Sequence, residues 1–331
     1  MTNHLCHKTL SAVLLIFTLG MAQAADSGSR QMEYAGTGRF DLLEKLMESE
    51  AAKGPLNTRD RHALCFAYSK TKRYDRLLPC LDQLQKGMTR TDRRTRLFGL
   101  DDATPAIHIM RAEALLELSQ YEGASREARV ALDWLRKDKS DDDDMEINAL
   151  AVLSLAATLS GDKETGRKHA SAIAQVRTLA YVNAKAMALG RVYLALGDYQ
   201  RALDGINSDR TFKLRAFLDN LASGALLRGV SNWAWAELPR GYMINKALLE
   251  TGDIEQSRDG FDKLLSVPQT RSNGEIFWLI LNDRARIAER GGDIAAAIGF
   301  YQRAVDVIER QRASINTEAN KIGFVGDKQE L

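Results

Sequence analysis

The chain has 331 residues, which is enough for one long array or for two compact domains of ordinary size. Its 46 Lys and Arg residues nearly balance its 44 Asp and Glu residues, so the net charge gives no electrostatic case for nucleic acid or acidic lipid as a partner. Only 5 prolines, with Ala and Leu prominent throughout, favour an all-helical chain.

Residues 1–24 have the pattern of a secretory signal peptide. The weakly basic MTNHLCHK is followed by the apolar LSAVLLIFTLGM, and Ala22-Gln23-Ala24 supplies the small-x-small cleavage site. The apolar run is shorter than the ~20 residues that a membrane-spanning helix needs. We therefore predict cleavage after Ala24, a periplasmic or secreted protein and no membrane insertion after cleavage. An uncleaved N-terminal anchor is the alternative.

Cys65 and Cys80 are the cysteines that remain after the leader. They fall on two helices that we expect to pair in one hairpin, so a disulfide between them is geometrically conceivable. The frequent burial of cysteine favours two free buried thiols instead.

The clearest repeat unit is LGRVYLALGDYQRAL, Leu189 to Leu203. It is similar to the tetratricopeptide pattern, in which a small residue and an aromatic precede a turn, and an aromatic and a small residue follow it. Gly190 and Ala202 are small because two antiparallel helices must approach closely there, and Tyr193 and Tyr199 fill the space beside that contact.

The same turn recurs along the chain at intervals near the ~34 residues of the tetratricopeptide repeat or longer. The longest interval is 252 − 197 = 55 residues, so residues 207–240 should hold an extra helical turn or helix before Pro239. Residues 133–145, which contain KDKSDDDD, are predicted to form a loop. Residues 25–310 are thus predicted to form an all-α, TPR-like solenoid of helical hairpins wound into a right-handed superhelix. The predicted turn positions are Gly38, Lys72, Ser119, Gly161, Gly197, Gly252 and Gly292.

Nothing in the sequence predicts a catalytic residue, a metal site or a cofactor. GDKETGRKH, from Gly161, lacks the Lys and Ser or Thr of a phosphate-binding loop, and the run Asp141 to Asp144 lacks the Gly and terminal Glu of a calcium loop. The three histidines of the mature chain are far apart in sequence, so we interpret them as surface or satisfied residues: His62, His108 and His169.

Tetratricopeptide arrays usually bind along the concave face, which the first helix of each hairpin lines. Counting back from the turns places five side chains there that could hold a peptide backbone or carboxylate, although ordinary solvated positions explain any one of them equally well. Of Trp233 and Trp235, one should be exposed or face the groove. The predicted peptide-binding residues are Arg191, Tyr242, Lys246, Asn282 and Arg286.

The run AVDVIERQRASINTEANKIGFVGDKQ, Ala304 to Gln329, resembles the link between a tetratricopeptide array and a CHAT domain, a caspase-like peptidase module. The resemblance implies that residues 311–331 are a junction toward a missing C-terminal domain, and it carries over no catalytic residue because the chain ends before that domain. The matching positions are Ser314, Glu318, Ala319, Gly323, Phe324, Gly326, Asp327 and Lys328.

By this resemblance we expect a non-catalytic scaffold that binds a protein or peptide and recruits substrate to, or regulates, a CHAT-type peptidase. A truncated, non-functional remnant of a TPR/CHAT protein and, less favoured, an all-α hydrolase with two facing carboxylates are the alternatives. We also expect Ala304 to Ser314 to be helical. Ile322, Phe324 and Val325 should dock on the last hairpin or on a following domain, and the residues after Gly323 should be poorly packed.

Overall fold

A computed structural model describes residues 28–89, 96–97, 101–138 and 142–315. These residues form the predicted all-α, TPR-like array, in which consecutive helices pair as antiparallel hairpins. The helices are α1 (28–36), α2 (Phe40–Lys53), α3 (Thr58–Thr71), α4 (Tyr74–Gly87), α5 (Ala103–Glu117), α6 (Tyr121–Asp138), α7 (Asp143–Leu159), α8 (Lys163–Gln175), α9 (Val182–Leu196), α10 (Tyr199–Asn207), α11 (Phe212–Ala222), α12 (Ala234–Thr251), α13 (Ile254–Ser266), α14 (Phe277–Arg290) and α15 (Ile294–Arg312).

One small departure from the all-helical pattern precedes α5. Two-residue strands, β1 (Arg96–Leu97) and β2 (Asp101–Asp102), pair in antiparallel register. Two pairs of residues are too few to bury an apolar face, so this ladder is a local feature of the loop and does not alter the fold class.

The turns between paired helices lie where the sequence predicts them. All seven predicted turn positions have a positive φ, including the non-glycine residues Lys72 (60°) and Ser119 (57°). An aspartate follows four of the turn glycines, and its side chain accepts a hydrogen bond from the backbone N–H three residues later. The Gly-Asp pair therefore ends one helix and caps the next. These aspartates are Asp162, Asp198, Asp253 and Asp293.

Gly190 allows α9 and α10 to approach closely, as predicted. A Cβ atom at this position would overlap the side chain of Ile206 on α10. Ala202 is fully buried at the same crossing. The two small residues therefore set the distance between the helices of this hairpin.

The 55-residue interval holds the predicted extra helix, α11, followed by a 3₁₀ turn at Leu226–Arg228. Pro239 lies inside α12 and not at its start. The predicted loop over 133–145 is too long, because α6 continues to Asp138 and α7 begins at Asp143. Acidic side chains favour the N-terminus of a helix, and α7 carries Asp143, Asp144 and Glu146 in its first turn.

Cys65 and Cys80 form a disulfide between α3 and α4. The interpretation as two free thiols is therefore wrong. Pairing of the two helices brings the Cα atoms to 5.6 Å, within the usual range for a disulfide, and burial alone could not reveal that proximity.

The two ends of the array meet. The Asp75 N–H donates to the Ser314 carbonyl (2.9 Å), the Gly274 N–H donates to the Lys70 carbonyl (3.3 Å), and the Ser314 hydroxyl donates to the Lys72 carbonyl (3.0 Å). Ile308 and Ile315 are buried in the same apolar cluster as residues of α3 and α4. We call this the end-to-end contact: the hairpins at the start of the array pack against those at its end, so the array closes on itself.

The last described helix, α15, ends at Arg312, which confirms helix over Ala304 to Arg312. Residues 1–24 and the predicted docking residues Ile322, Phe324 and Val325 lie outside the described residues. Within the described ranges, no helix combines the length and the apolar character needed to cross a membrane.

Candidate functional site

A cavity of about 1500 Å³ lies inside the closed array, and we call it the central cavity. The first helix of each hairpin supplies most of its wall. In six of the seven hairpins, the residue six positions before the turn residue lines the central cavity; for the turn at Gly38, for example, this is residue 32 (38 − 6). These residues are Met32, Phe66, Glu113, Leu155, Arg191 and Lys246.

Much of the cavity wall is apolar. Five of the nine methionines of the chain lie in it, together with three tryptophans. Methionine is flexible and polarizable, so a wall rich in it adapts to apolar surfaces of different shape. These residues are Met32, Met110, Met145, Met187, Met243, Trp233, Trp235 and Trp278.

A group of charged side chains interrupts the apolar wall, and we call it the charged belt. Lys70 Nζ lies 3.4 Å from Glu275 Oε2, and Arg191 donates to Glu113 Oε1 at 3.0 Å. Lys70, Lys72 and Arg191 hold the pKa of Glu275 well below its usual range. Burial opposes the charged form of Arg191, but Glu113 and Glu275 outweigh it and raise the pKa of that guanidinium. Glu275 is therefore anionic and Arg191 cationic at neutral pH.

Behind the wall, Lys72 and Tyr74 extend the charged belt toward the end-to-end contact. Lys72 Nζ lies 3.3 Å from Glu117 Oε1, and the Tyr74 hydroxyl donates to Glu117 Oε2 at 3.4 Å. Burial, together with the carboxylates of Glu117 and Glu275, raises the pKa of Tyr74 well above its usual value, so this hydroxyl remains a donor. With three cations and three carboxylates, the belt carries no net charge.

The predicted peptide-binding residues divide into two groups. Arg191, Tyr242 and Lys246 line the central cavity, whereas Asn282 and Arg286 do not belong to its wall as formed by the described residues. The wall near α14 consists of Trp278, Leu279 and residues just before that helix.

Lys246 and Arg286 each pair with one carboxylate of their own helix and one of the neighbouring helix. Lys246 Nζ lies 2.7 Å from Asp283 Oδ1 and 2.8 Å from Glu250 Oε1, while Arg286 Nη1 lies 2.8 Å from Glu250 Oε1 and 3.1 Å from Asp283 Oδ1. The Asp283 side chain is only 2% exposed. These contacts join α12 to α14, so the two cations stabilise the array. A binding role for the cluster stays a prediction.

The cavity wall includes buried polar atoms that have no hydrogen-bond partner among the described residues, and Nδ1 of His62 and Oδ1 of Asn183 are among them. Burial lowers the pKa of His62 to about 4, so its ring is neutral at pH 7. The interpretation of His62 as a surface or satisfied histidine is wrong. His62 lies ten residues before the turn at Lys72, and Tyr242 lies ten residues before the turn at Gly252. The repeat register that placed Tyr242 on the inner face could therefore have placed His62 there as well.

The carboxylates of the charged belt do not form the pair that a glycoside-type hydrolase needs. Glu113, Glu117 and Glu275 each contact a cation. A general acid must be protonated at the working pH, and the lowered pKa of Glu275 acts in the opposite direction. The described residues also include no cluster of three His, Cys, Asp or Glu side chains that could hold a metal ion.

Comparison with known proteins does not identify a family for this chain. No protein-family model and no curated protein matches the chain. A solved structure, that of Rap protein complexed with Competence and Sporulation Factor, is similar over 83% of this chain and 81% of that one, with 17% sequence identity and a TM-score of 0.43. A likeness at this level transfers neither a site nor a ligand.

Proposed function

We propose that this protein is a non-catalytic scaffold that holds an apolar-faced peptide, or such a segment of a partner protein, in its central cavity. The size and lining of that cavity carry the proposal. Its volume of about 1500 Å³ exceeds the ~300–1000 Å³ of typical small-molecule sites. Its methionine and tryptophan side chains suit an apolar surface of variable shape, as in helix-in-groove recognition.

The polar groups of the wall would orient such a segment. His62 and Asn183 each leave one buried atom unpaired, and a polar group of the bound segment could satisfy it. The charged belt is neutral and internally paired, so it adds hydrogen-bonding groups without selecting a strongly charged ligand. We therefore expect an amphipathic segment to bind better than an acidic or basic one.

A cavity-filling substitution tests this function. Ala184 lines the cavity and is half-buried, so Ala184→Trp should occupy its space without disturbing the core. Ala295 on α15 is exposed, and Ala295→Trp is the matched control.

Fluorescence polarisation would measure the binding of a library of labelled amphipathic helical peptides and their scrambled counterparts. We expect Ala184→Trp to weaken binding at least about tenfold, which corresponds to 1.4 kcal/mol. Equal affinities for both variants, or no peptide bound by the wild type, would reject the proposal.

Export is a second part of the proposal. It is supported by the leader pattern of residues 1–24 and by the Cys65–Cys80 disulfide, since disulfides persist in oxidising compartments. Expression of the full chain in a bacterium, followed by fractionation and mass spectrometry, should give a periplasmic or secreted product that begins at Ala25. A cytoplasmic, unprocessed product would exclude export.

Partnership with a CHAT-type peptidase rests on the resemblance of residues 304–329 alone. The part of that segment with described structure, through Ile315, takes part in the end-to-end contact. The DNA directly downstream of the gene is the simplest test. A CHAT-encoding reading frame there would support the partnership, and co-purification of its product with this chain would establish it. An unrelated neighbouring frame would remove the support.

A further inference from the structure

The inserted helix α11 turns its apolar face away from the protein. Leu214, Phe217, Leu218 and Leu221 recur at the i, i+3, i+4, i+7 spacing of one helix face, and each is between 51% and 59% exposed. The opposite face, with Phe212 and Ala216, is buried. A helix of a soluble protein normally buries its apolar stripe, so α11 shows the reverse of the usual pattern. We call its outward face the α11 surface.

The 3₁₀ turn that follows α11 adds to the exposed apolar residues of this segment. It contacts α11, and Leu226 (43%) and Leu227 (94%) within it are both exposed. Exposed apolar side chains are ordinary when they are scattered, but six within one short segment mark an interaction site.

Side-chain hydrogen bonds connect α11 to the residues that follow it. The Asn220 side chain donates to the Ser231 hydroxyl at 2.9 Å and accepts from the Asn232 backbone N–H at 2.8 Å. The Trp233 indole N–H donates to Asp219 at 3.0 Å. These bonds tie α11 to the start of α12, so the apolar face is held outward by the structure around it.

Cations outnumber anions around the α11 surface. Arg210, Lys213 and Arg228 are exposed, and none forms an ion pair with another described residue. Asp209 is buried and paired with Arg215. Asp219 is exposed and accepts the Trp233 indole N–H, a bond that leaves its negative charge in place. Four cations against two carboxylates over residues 209–228 leave a local net charge of +2 (4 − 2). The balance of charge over the whole chain conceals this local excess.

We propose that the α11 surface docks the protein on an anionic lipid bilayer, with α11 lying in the plane of the interface. Leu and Phe on one face with Lys and Arg at its border is the composition of interfacial helices. The positive charges favour this occupant over a second copy of the chain, because self-association through the surface would bring like charges together. The attachment is peripheral.

The α11 segment lies beside the central cavity. Arg215 of α11 and Arg228 of the following turn also line the central cavity. A protein attached through the α11 surface therefore holds one side of its cavity next to the membrane.

Vesicle co-sedimentation of the mature chain tests the proposal. The probes are vesicles of phosphatidylcholine alone and vesicles that also contain phosphatidylglycerol. We expect binding to the anionic vesicles, weaker binding at higher salt, and little binding to the neutral ones. Phe217→Ser/Leu221→Ser removes two half-exposed apolar side chains and should reduce the partition coefficient at least about tenfold.

A second variant and a control separate docking from misfolding. Arg210→Glu/Lys213→Glu keeps the apolar face but reverses two charges, and it should also abolish binding to anionic vesicles. Leu179→Ser removes an exposed leucine outside α11, 97% exposed, and should bind like the wild type. The proposal is overturned if the wild type does not bind anionic vesicles, if both double variants bind as the control does, or if sedimentation velocity shows a wild-type dimer that Phe217→Ser/Leu221→Ser does not form.

Discussion

Lys70 and Glu275 are 205 positions apart in the sequence, and their side chains form an ion pair 3.4 Å long at the end-to-end contact. Because the cations hold the pKa of Glu275 well below its usual 4.5, ionised Glu275 stabilises the folded state. That contribution is fully present above pH 4.5 and is lost as the pH falls below it toward the lower folded-state pKa.

Glu275→Gln should therefore be less stable than the wild type at pH 7, by about 1–3 kcal/mol, because Lys70 loses its charged partner. Urea unfolding at pH 7 and at pH 3 would show the two proteins converging at low pH. Glu255→Gln removes an exposed carboxylate that, among the described residues, pairs with Arg258 of its own helix, and it should change the free energy of unfolding by less than about 0.5 kcal/mol. A constant difference between wild type and Glu275→Gln across this range would contradict the role given to the ion pair.

His62 makes stability depend on pH in a different window. Its folded-state pKa is about 4 against 6.5 for an ordinary histidine, so the unfolded chain takes up a proton first as the pH falls. The free energy of unfolding should decrease between pH 6.5 and pH 4, by up to about 3 kcal/mol. His62→Leu should lack this decrease and be the more stable protein at pH 5. Chemical unfolding at a series of pH values measures it, and an unchanged slope in the variant would refute the assignment.

Gly190 and Gly299 offer a matched pair of glycine substitutions inside helices. Gly190→Ala places a methyl group on the Ile206 side chain and should destabilise the protein by about 1–3 kcal/mol. Gly299→Ala meets open space on α15 and should stabilise it by up to about 1 kcal/mol, because alanine is the better helix former. Thermal or urea unfolding of both variants gives the comparison. Equal effects would mean that the α9–α10 crossing is not close-packed.

Lys246 pairs with the buried carboxylate of Asp283, so we expect its substitution to lower the free energy of unfolding, whether or not it changes peptide affinity. Lys246→Met leaves Asp283 with Arg286 as its remaining cation among the described residues, and we expect a loss of about 1–3 kcal/mol. A variant as stable as the wild type but defective in peptide binding would instead make Lys246 a ligand contact. The double variant Lys246→Ala/Arg286→Ala cannot separate the two roles, because it leaves Glu250 and Asp283 without both cations.

The register of the array could be predicted because its signals are local. A Gly-Asp pair, as at Gly252-Asp253, needs only a left-handed residue followed by a capping side chain. The same register placed five residues on the inner face: Arg191, Tyr242 and Lys246 line the central cavity, whereas Asn282 and Arg286 do not.

The rest depends on contacts that no local pattern encodes. The bond from the Asp75 N–H to the Ser314 carbonyl results from small rotations accumulated over every hairpin between them. The i,i+4 spacing pairs Lys246 with Glu250, but its second carboxylate, Asp283, comes from the next hairpin, which sequence spacing does not pair with it. The α11 surface has the spacing of a buried helix face, so periodicity alone would place it in the core.

The end-to-end contact also changes how this chain should come apart. An open solenoid frays from its outermost repeats, since each of these has a neighbour on one side only. Here the hairpins at the two ends of the array are neighbours of each other, so neither end is free. Amide hydrogen exchange should therefore be slow in α3 and α15 as well as in the middle of the chain, and the closed array should unfold in one cooperative step.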